Sequence, residues 1–301
     1  MPKTSIRFDN RVGGRVNAPL RGVALSVLSM LLFACSDVVS KYLNRTLPPV
    51  EIAWIRYVIF CLVVVPIMVR RGPHVLRSAR PWLQALRALG LAGTTVFFII
   101  AVRYLPVAEA TATHFICPLF ITALSIPILG ETVGWRRWCA AAVGLVGVVV
   151  VVRPMGATFQ AASLLPVLSA ICSACAMVLT RKLAGTDSTA TTLVWSAFVG
   201  FLLVTVLLPF GFVVPGPMEM LLGLGVGVGT SVAHWLVVLA YRYVDASLLA
   251  QLSYVQIIMA AILGFVVFNA APDSWSYVGA GLIIASGLYT AHRERLRRRT
   301  T

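Results

Sequence analysis

Predominantly apolar runs, each about as long as the ~20 residues a bilayer core demands, recur ten times along the chain and are separated by charged residues, Pro and Gly. They lie near 23–43, 50–69, 82–102, 107–129, 135–152, 162–180, 190–210, 218–240, 247–268 and 275–291. Runs this long and this rich in Leu, Val and Ala are too extended for barrel strands, which need only about 9–11 residues and alternate apolar with polar. The pattern predicts an all-α integral membrane protein with ten transmembrane helices.

A second pattern lies over the first. Ser29, Ala34, Cys35, Val38 and Leu43 return 140 residues later as Ser169, Ala174, Cys175, Val178 and Leu183, and Lys41 falls on Arg181. Arg103-Tyr104 returns as Arg242-Tyr243, and Trp135 and Gly147 as Trp275 and Gly287. Each copy holds an odd number of spans, so the second copy enters the membrane upside down relative to the first. Two inverted five-helix repeats are the architecture of secondary transporters, with a substrate site near the midplane where the halves meet. The chain divides into a basic N-terminal segment (1–22), a first repeat (23–152), a linker (153–161), a second repeat (162–291) and a basic tail (292–301).

Composition agrees with a membrane protein: 59% hydrophobic, 12% charged, mean hydropathy +0.91. The formal charge of +15 suggests nucleic acid until it is mapped onto the spans. With the N-terminus inside, only Lys41, Arg45, Arg56, Arg103 and Arg153 of the 25 Lys and Arg fall on the outer side. The basic residues are therefore topology determinants. They predict a multi-pass protein of the cell inner (plasma) membrane with both termini cytoplasmic, and no nucleic-acid partner. All six cysteines lie in predicted spans, which argues against a disulfide framework. Leu32-Phe33-Ala34-Cys35 resembles a lipoprotein signal, but the apolar run continues past it and Cys35 has a repeat partner.

Polar side chains within spans are costly and mark function by default. In the fourth segment Thr111, His114, Pro118 and Ser125 follow one helical face, with Glu109 at the mouth; Pro118 frees a carbonyl near His114. In the ninth, Ser247, Gln251 and Tyr254 share a face beside Ser253 and Gln256. The eighth adds Ser231, His234 and Trp235, and the third Thr94, Thr95 and Phe98. The substrate-binding candidates are His114, Thr111, Pro118, Gln251, Tyr254, Gln256, Ser253, His234, Trp235 and Phe98. This lining carries few fixed charges and suits a neutral, zwitterionic or aromatic metabolite. Asp37 and Lys41 read as an i,i+4 ion pair, with Asp37 also a site for a coupling proton. Arg56 with Glu51 reads as an interfacial anchor. Asp37, Lys41, Glu109 and Arg56 are the coupling and gating candidates. No metal-ligand spacing, cofactor motif or catalytic constellation is present, so no enzyme activity, metal or cofactor is expected. The Gly223, Gly225, Gly227, Gly229 run forms interleaved G-x-x-x-G pairs for helix packing.

Certain stretches carry a family resemblance. They are Phe33 to Leu43 ending in Lys41-Tyr42-Leu43, Pro48 to Tyr57, Leu129-Gly130-Glu131 followed by Trp135 and Gly144-x-x-Gly147, and Trp275 through Gly279 to Gly287. Together they resemble the drug/metabolite transporter superfamily, as two EamA-type domains in tandem over about 23 to 292. The resemblance implies a central cavity lined by the third, fourth, eighth and ninth helices, with the first and sixth contributing and the fifth and tenth outermost. It implies substrates among amino acids, purines, riboflavin-like cofactors, nucleotide derivatives and drugs. One departure stands out: where the first repeat has Gly130-Glu131, the second has Asn269-Ala270. Glu131 is expected to cap its loop or bridge to Arg136 or Arg137. The expected function is secondary transport of a small organic metabolite or drug by rocking of the inverted halves, with the lipid bilayer, a small-molecule substrate and a coupling proton as partners and homodimerisation left open. An intramembrane enzyme and a non-transporting scaffold or sensor are the alternatives.

Overall fold

The structure, a computed structural model, describes residues 18–130, 135–153, 160–183, 186–240, 243–244, 246–270 and 273–300. Glu131, Arg242, residues 154–159 of the linker and residues 1–17 lie outside the described residues, as do the side chains of Arg136, Arg137, Ser247 and the basic tail.

The apolar runs fold as α1 (Ala18–Leu43), α2 (Pro49–Arg71), α3 (Pro81–Tyr104), α4 (Val107–His114), α5 (Cys117–Leu129) and α6 (Trp135–Val152) in the first half. The second half holds α7 (Leu165–Leu183), α8 (Thr189–Leu207), α9 (Pro217–Ala240), α10 (Ala246–Leu252), α11 (Val255–Phe268) and α12 (Ser274–Thr300). Each predicted span has its helix, except that the fourth and the ninth are each split in two. The last helix runs well past the predicted end at 291, carrying the apolar segment on into the basic tail.

Packing follows the repeat. α1 lies along α9 as α7 lies along α3, and α1 against α11 as α7 against α5; the symmetry mates α2 and α8, and α6 and α12, pack on each other. Several recurring residues are buried in both copies: Ser29, Ala34, Val38 and Leu43 are sequestered, and so are Ser169, Ala174, Val178 and Leu183. Small and β-branched residues at these positions let backbones approach where lipid supplies no hydrophobic drive. In α9 the G-x-x-x-G reading holds for one pair only. A Cβ at Gly227 would meet Ile59 of α2 at 2.7 Å and one at Gly223 would meet Ile55 at 3.1 Å, whereas Gly225 has nothing within 4 Å.

The two interruptions occupy matching places. The first break, at Phe115 and Ile116, precedes Pro118, whose ring cannot accept the preceding helical turn. The second, at Ser253 and Tyr254, has no proline. Both are crossed by tight i→i+3 bonds: Ile116 N–H to the Thr113 carbonyl at 3.2 Å, and Gln256 N–H to the Ser253 carbonyl at 3.0 Å. The half-helices end alike too. Gly130 (φ 71) caps α5 and Asn269 (φ 52) caps α11, both left-handed. Asn is the residue besides Gly that most readily takes this conformation, so the departure at Asn269 preserves the cap.

Candidate functional site

Polar side chains gather at two interfaces related by the repeat. Between α1 and α9, beside α2 and α11, Asp37 is only 8% exposed and accepts a hydrogen bond from Gln256 Nε2 at 3.1 Å. Arg56 of α2 acts on Asp37 electrostatically, and on His234 of α9 as well. Among the described residues no carboxylate oxygen comes within 4.0 Å of the Arg56 guanidinium. His234 stands edge-on to Phe33 with ring centroids 4.8 Å apart. Its Nδ1 lies 2.8 Å from the Thr230 carbonyl, which can only accept, so Nδ1 carries the proton and Nε2 is bare.

Between α3 and α7, beside α4, His114 Nδ1 lies 3.1 Å from Ser169 Oγ. Ser169 gives its one hydroxyl proton to the Thr94 carbonyl at 2.9 Å, and Thr94 Oγ1 returns a bond to the Ser169 carbonyl at 3.2 Å. Ser169 therefore accepts from His114, which again leaves Nε2 unprotonated. Phe98 meets the His114 ring edge-on at 5.6 Å. Thr111, one turn before, is buried, and among the described residues its hydroxyl has no hydrogen-bond partner. Gln251 and Ser253 are half-buried, at the end of α10 and in the second break.

Three candidates lie elsewhere. Trp235 is 63% exposed on the outer surface of α9, since its helical position falls on the lipid stripe with Leu221, Val228 and Val232. Pro118 breaks the span but faces an outer groove between α5, α6 and α12, shared with Ile116, Ile283 and Gly287. Tyr254 is buried against Phe115 (centroids 5.1 Å apart) and α12, so the helix break turns it away from Gln256's side. The single polar face expected across the fourth segment is likewise interrupted, because His114 ends α4 and Pro118 and Ser125 belong to α5.

The charged candidates also re-pair. Lys41 reaches past Asp37 to the carbonyls of Val102 and Leu105 at the end of α3 and lies 5.6 Å from the Phe268 ring. Glu51 accepts from the Val213 N–H at 3.1 Å and leaves Arg56 to Asp37. Glu109 accepts from Ser276 Oγ at 3.0 Å, the Ser276 N–H donates to Asp273 at 2.8 Å, and Asp273 bridges to Arg153 at the linker. Arg87, read from sequence as a cytoplasmic determinant, is inside the bundle. It donates to Thr180, Ser196 and the Thr192 carbonyl, at 2.6, 2.5 and 3.2 Å. The sequence signal was the set of hydroxyls on the otherwise apolar α7 and α8.

A model of the EamA-like transporter family matches residues 20–153 and again 160–290. The chain belongs to the EamA-like transporter family. An S-adenosylmethionine uptake transporter of Rickettsia prowazekii (strain Madrid E) is 29% identical over 276 residues, 92% of this chain and 94% of its own. A riboflavin transporter of Rhizobium johnstonii is 28% identical over 288 residues, 92% of this chain and 93% of its own. A crystal structure superposes with a TM-score of 0.59 at 25% identity, covering 94% of this chain and 99% of that one. This EamA-family protein is a multi-pass membrane transporter of small metabolites.

Proposed function

We propose that the protein is a secondary transporter of the inner membrane that carries a polar, heterocycle-bearing metabolite by alternating access. Residues 23–152 and 162–291 are the two halves that rock, and both termini face the cytoplasm, as the clustering of Arg70, Arg71, Arg77, Arg80 and the tail arginines favours. The observation that carries the reading is the matched pair of helix breaks at Phe115–Ile116 and Ser253–Tyr254. Discontinuous spans at corresponding positions of inverted repeats leave backbone groups without helical partners near the midplane, where a substrate can use them. His114, Thr111, Gln251, Ser253, Gln256, His234 and Phe98 form the substrate-binding set.

The relatives named for S-adenosylmethionine and riboflavin both handle a fused nitrogen heterocycle on a hydroxylated chain. Aromatic edges from Phe33 and Phe98, together with the bare Nε2 acceptors of His234 and His114, suit such a ring. Asp37, buried at membrane depth and tied to the second broken span through Gln256, is the coupling site, and the coupling ion is a proton. The chain moves its substrate unchanged and is not an enzyme; the transporter names of its relatives support this.

The test is counterflow in proteoliposomes preloaded with S-adenosylmethionine or riboflavin. Saturable uptake of the labelled compound, accelerated by an imposed pH gradient and recovered chemically intact, is the expected result. Well-folded protein that carries neither compound and does not respond to the gradient would overturn the reading, and a converted product would favour an enzyme. A membrane-impermeant thiol reagent is expected to reach Arg77→Cys from the cytoplasmic face only.

A further inference from the structure

The outer groove that holds Pro118 reaches both helix breaks. Its walls are α5, α6 and α12, with Ala141, Gly144 and Ile283 among the lining, and Phe115 and Tyr254 line it from the two breaks. The groove is shallow, about 360 Å³ counted out to its open mouth. Its depth in the membrane follows from the spans. Pro118 stands at the middle of the 23-residue span Val107–Leu129, and Gly144 near the middle of α6. The mouth faces lipid, since Pro118 is exposed and the same three helices turn Ile126, Val143 and Leu288 outward.

The side-chain hydroxyls in the groove are paired, with one exception. Thr122 Oγ1 donates to the Pro118 carbonyl at 3.0 Å, and Ser286 Oγ to the Ala140 carbonyl at 2.5 Å. Tyr254 is only 7% exposed, and among the described residues its hydroxyl has no hydrogen-bond partner. That hydroxyl reaches α12 because position 287 lacks a side chain: a Cβ on Gly287 would collide with it. Phe115 holds the Tyr254 ring, with centroids 5.1 Å apart. A phenol O–H left without an acceptor at this depth is costly, because no water is there to take its proton.

A ligand entering from this side comes dissolved in the bilayer, and it must bring one acceptor on an apolar body. Phospholipid does not supply it. The hydrocarbon core is about 30 Å thick, so ester carbonyls lie roughly 15 Å from the midplane, and the acyl chains that reach the groove carry no acceptor. An alcohol would bring a donor of its own to a groove whose Pro118 and Ala140 carbonyls already accept. A carbonyl oxygen accepts and brings no proton. We infer that the groove is a bilayer-facing regulatory site for a lipid-soluble carbonyl compound of the ketone or quinone class, its oxygen bonded by the Tyr254 hydroxyl. Phe115 belongs to the break in the first repeat and Tyr254 to the break in the second. An occupant seated on this ring pair braces the two breaks against each other and slows the rocking of the halves. That consequence rests on the transporter reading given above; the binding does not.

The test uses the full-length protein in nanodiscs of saturated phosphatidylcholine, with methyl nonyl ketone and undecane as a matched pair of probes. Binding is read from the shift in melting temperature as each probe is titrated. The ketone is expected to bind saturably and the alkane about tenfold more weakly, the usual worth of one neutral hydrogen bond. Tyr254→Phe removes the donor and keeps the ring, so it is expected to bind ketone and alkane alike. Infrared spectra of the carbonyl-labelled ketone should show its stretch lowered in the wild type and not in Tyr254→Phe. Equal binding of the two probes by the wild type, a ketone preference that survives Tyr254→Phe, or no saturable binding of either would overturn the inference. Should Tyr254→Phe fail to fold, the ketone–alkane comparison on the wild type decides by itself. In proteoliposomes the ketone is expected to slow counterflow over the same concentration range; saturable binding with counterflow unchanged would overturn the regulatory role. Failure of the ketone to bind while counterflow proceeds leaves the transporter reading standing. Ketone binding to a protein that carries no compound sinks that reading instead, and the groove remains a binding site.

Discussion

Asp37 on α1 accepts its hydrogen bond from Gln256 on α11, 3.1 Å away, and the bond crosses from the first repeat to the broken span of the second. The acid is thereby coupled to the helix segment that begins just after the break at Ser253–Tyr254. Movement of α11 during a transport cycle would change the hydrogen bonding, and hence the proton affinity, of Asp37. Gln256→Ala is expected to slow counterflow about tenfold while costing the fold only about 1 kcal/mol, the usual worth of one such bond. Asp37→Asn is expected to leave whatever transport remains indifferent to an imposed pH gradient. Proteoliposome flux measured with and without the gradient, alongside detergent melting curves, checks both.

The α6–α12 crossing is set by two glycines that face each other's backbone. A Cβ at Gly147 would sit 2.8 Å from the Gly279 carbonyl oxygen, and one at Gly279 would sit 2.6 Å from the Gly147 carbonyl oxygen. Backbone cannot step aside as a flexible side chain can. Gly147→Ala and Gly279→Ala are each expected to destabilise by about 1–3 kcal/mol. Because the two meet at one crossing, the double variant should cost less than the sum. Thermal unfolding in detergent of the two single variants and the double gives the answer.

Asp187, in the connection between α7 and α8, ties that turn to the one before α3. It accepts from Ser78 Oγ at 2.5 Å, from Gln84 Nε2 at 2.8 Å and from the Ala79 N–H at 2.9 Å. Slight burial pulls its pKa upward, but the bonds from Ser78, Gln84 and Ala79 outweigh it and hold the carboxyl below the ordinary aspartate value of 3.8. A depressed folded-state pKa makes this carboxylate stabilising wherever the unfolded chain is also ionised. Its contribution is therefore full above about 3.8 and is lost as pH falls through the lower folded value. Wild type is expected to melt above Asp187→Asn at neutral pH, with the difference constant down to mildly acidic pH and closing only below it. A difference that instead closed between pH 7 and 5 would rule out this carboxylate as its source.

The spans, their number and their inverted order were legible in the sequence because each rests on a long periodic signal, and Ser29, Val38 and Leu43 recur with Ser169, Val178 and Leu183 for the simple reason that they are buried alike. The first helix break announced itself through Pro118; the second, at Ser253, carries no proline and emerges only from packing. Pairings were harder to read. Asp37 and Lys41 are one turn apart, which suggests an ion pair, yet a lysine stem is long enough to reach the end of α3 and cap the carbonyls of Val102 and Leu105. Trp235 follows His234 by one residue and so points about 100° away, to lipid rather than to the interior. Arg87 sits six residues into α3, where the hydroxyls of Thr180 and Ser196 and the Thr192 carbonyl on other helices make its burial tolerable.

His114 separates a structural from a functional role through its two ring nitrogens. Nδ1 donates to Ser169 Oγ at 3.1 Å, since the Ser169 proton is committed to the Thr94 carbonyl; Nε2 is left as an acceptor beside Phe98. Asparagine places an amide N–H near the position of Nδ1 and offers nothing at Nε2. His114→Asn is therefore expected to keep the link between α4 and α7 and to shift stability by less than about 1 kcal/mol. Transport should nevertheless fall about tenfold or more, as when a buried acceptor is withdrawn from a polar substrate. Ser169→Ala should do the opposite. It removes the partner of Nδ1 and the bond to Thr94, lowering stability by about 1–3 kcal/mol, while Nε2 stays available and the residual folded protein still transports. Melting temperatures and counterflow rates of the two variants, measured side by side, tell whether the imidazole serves the cargo or only the fold: equal loss of stability with unchanged flux in both would leave His114 as a packing residue.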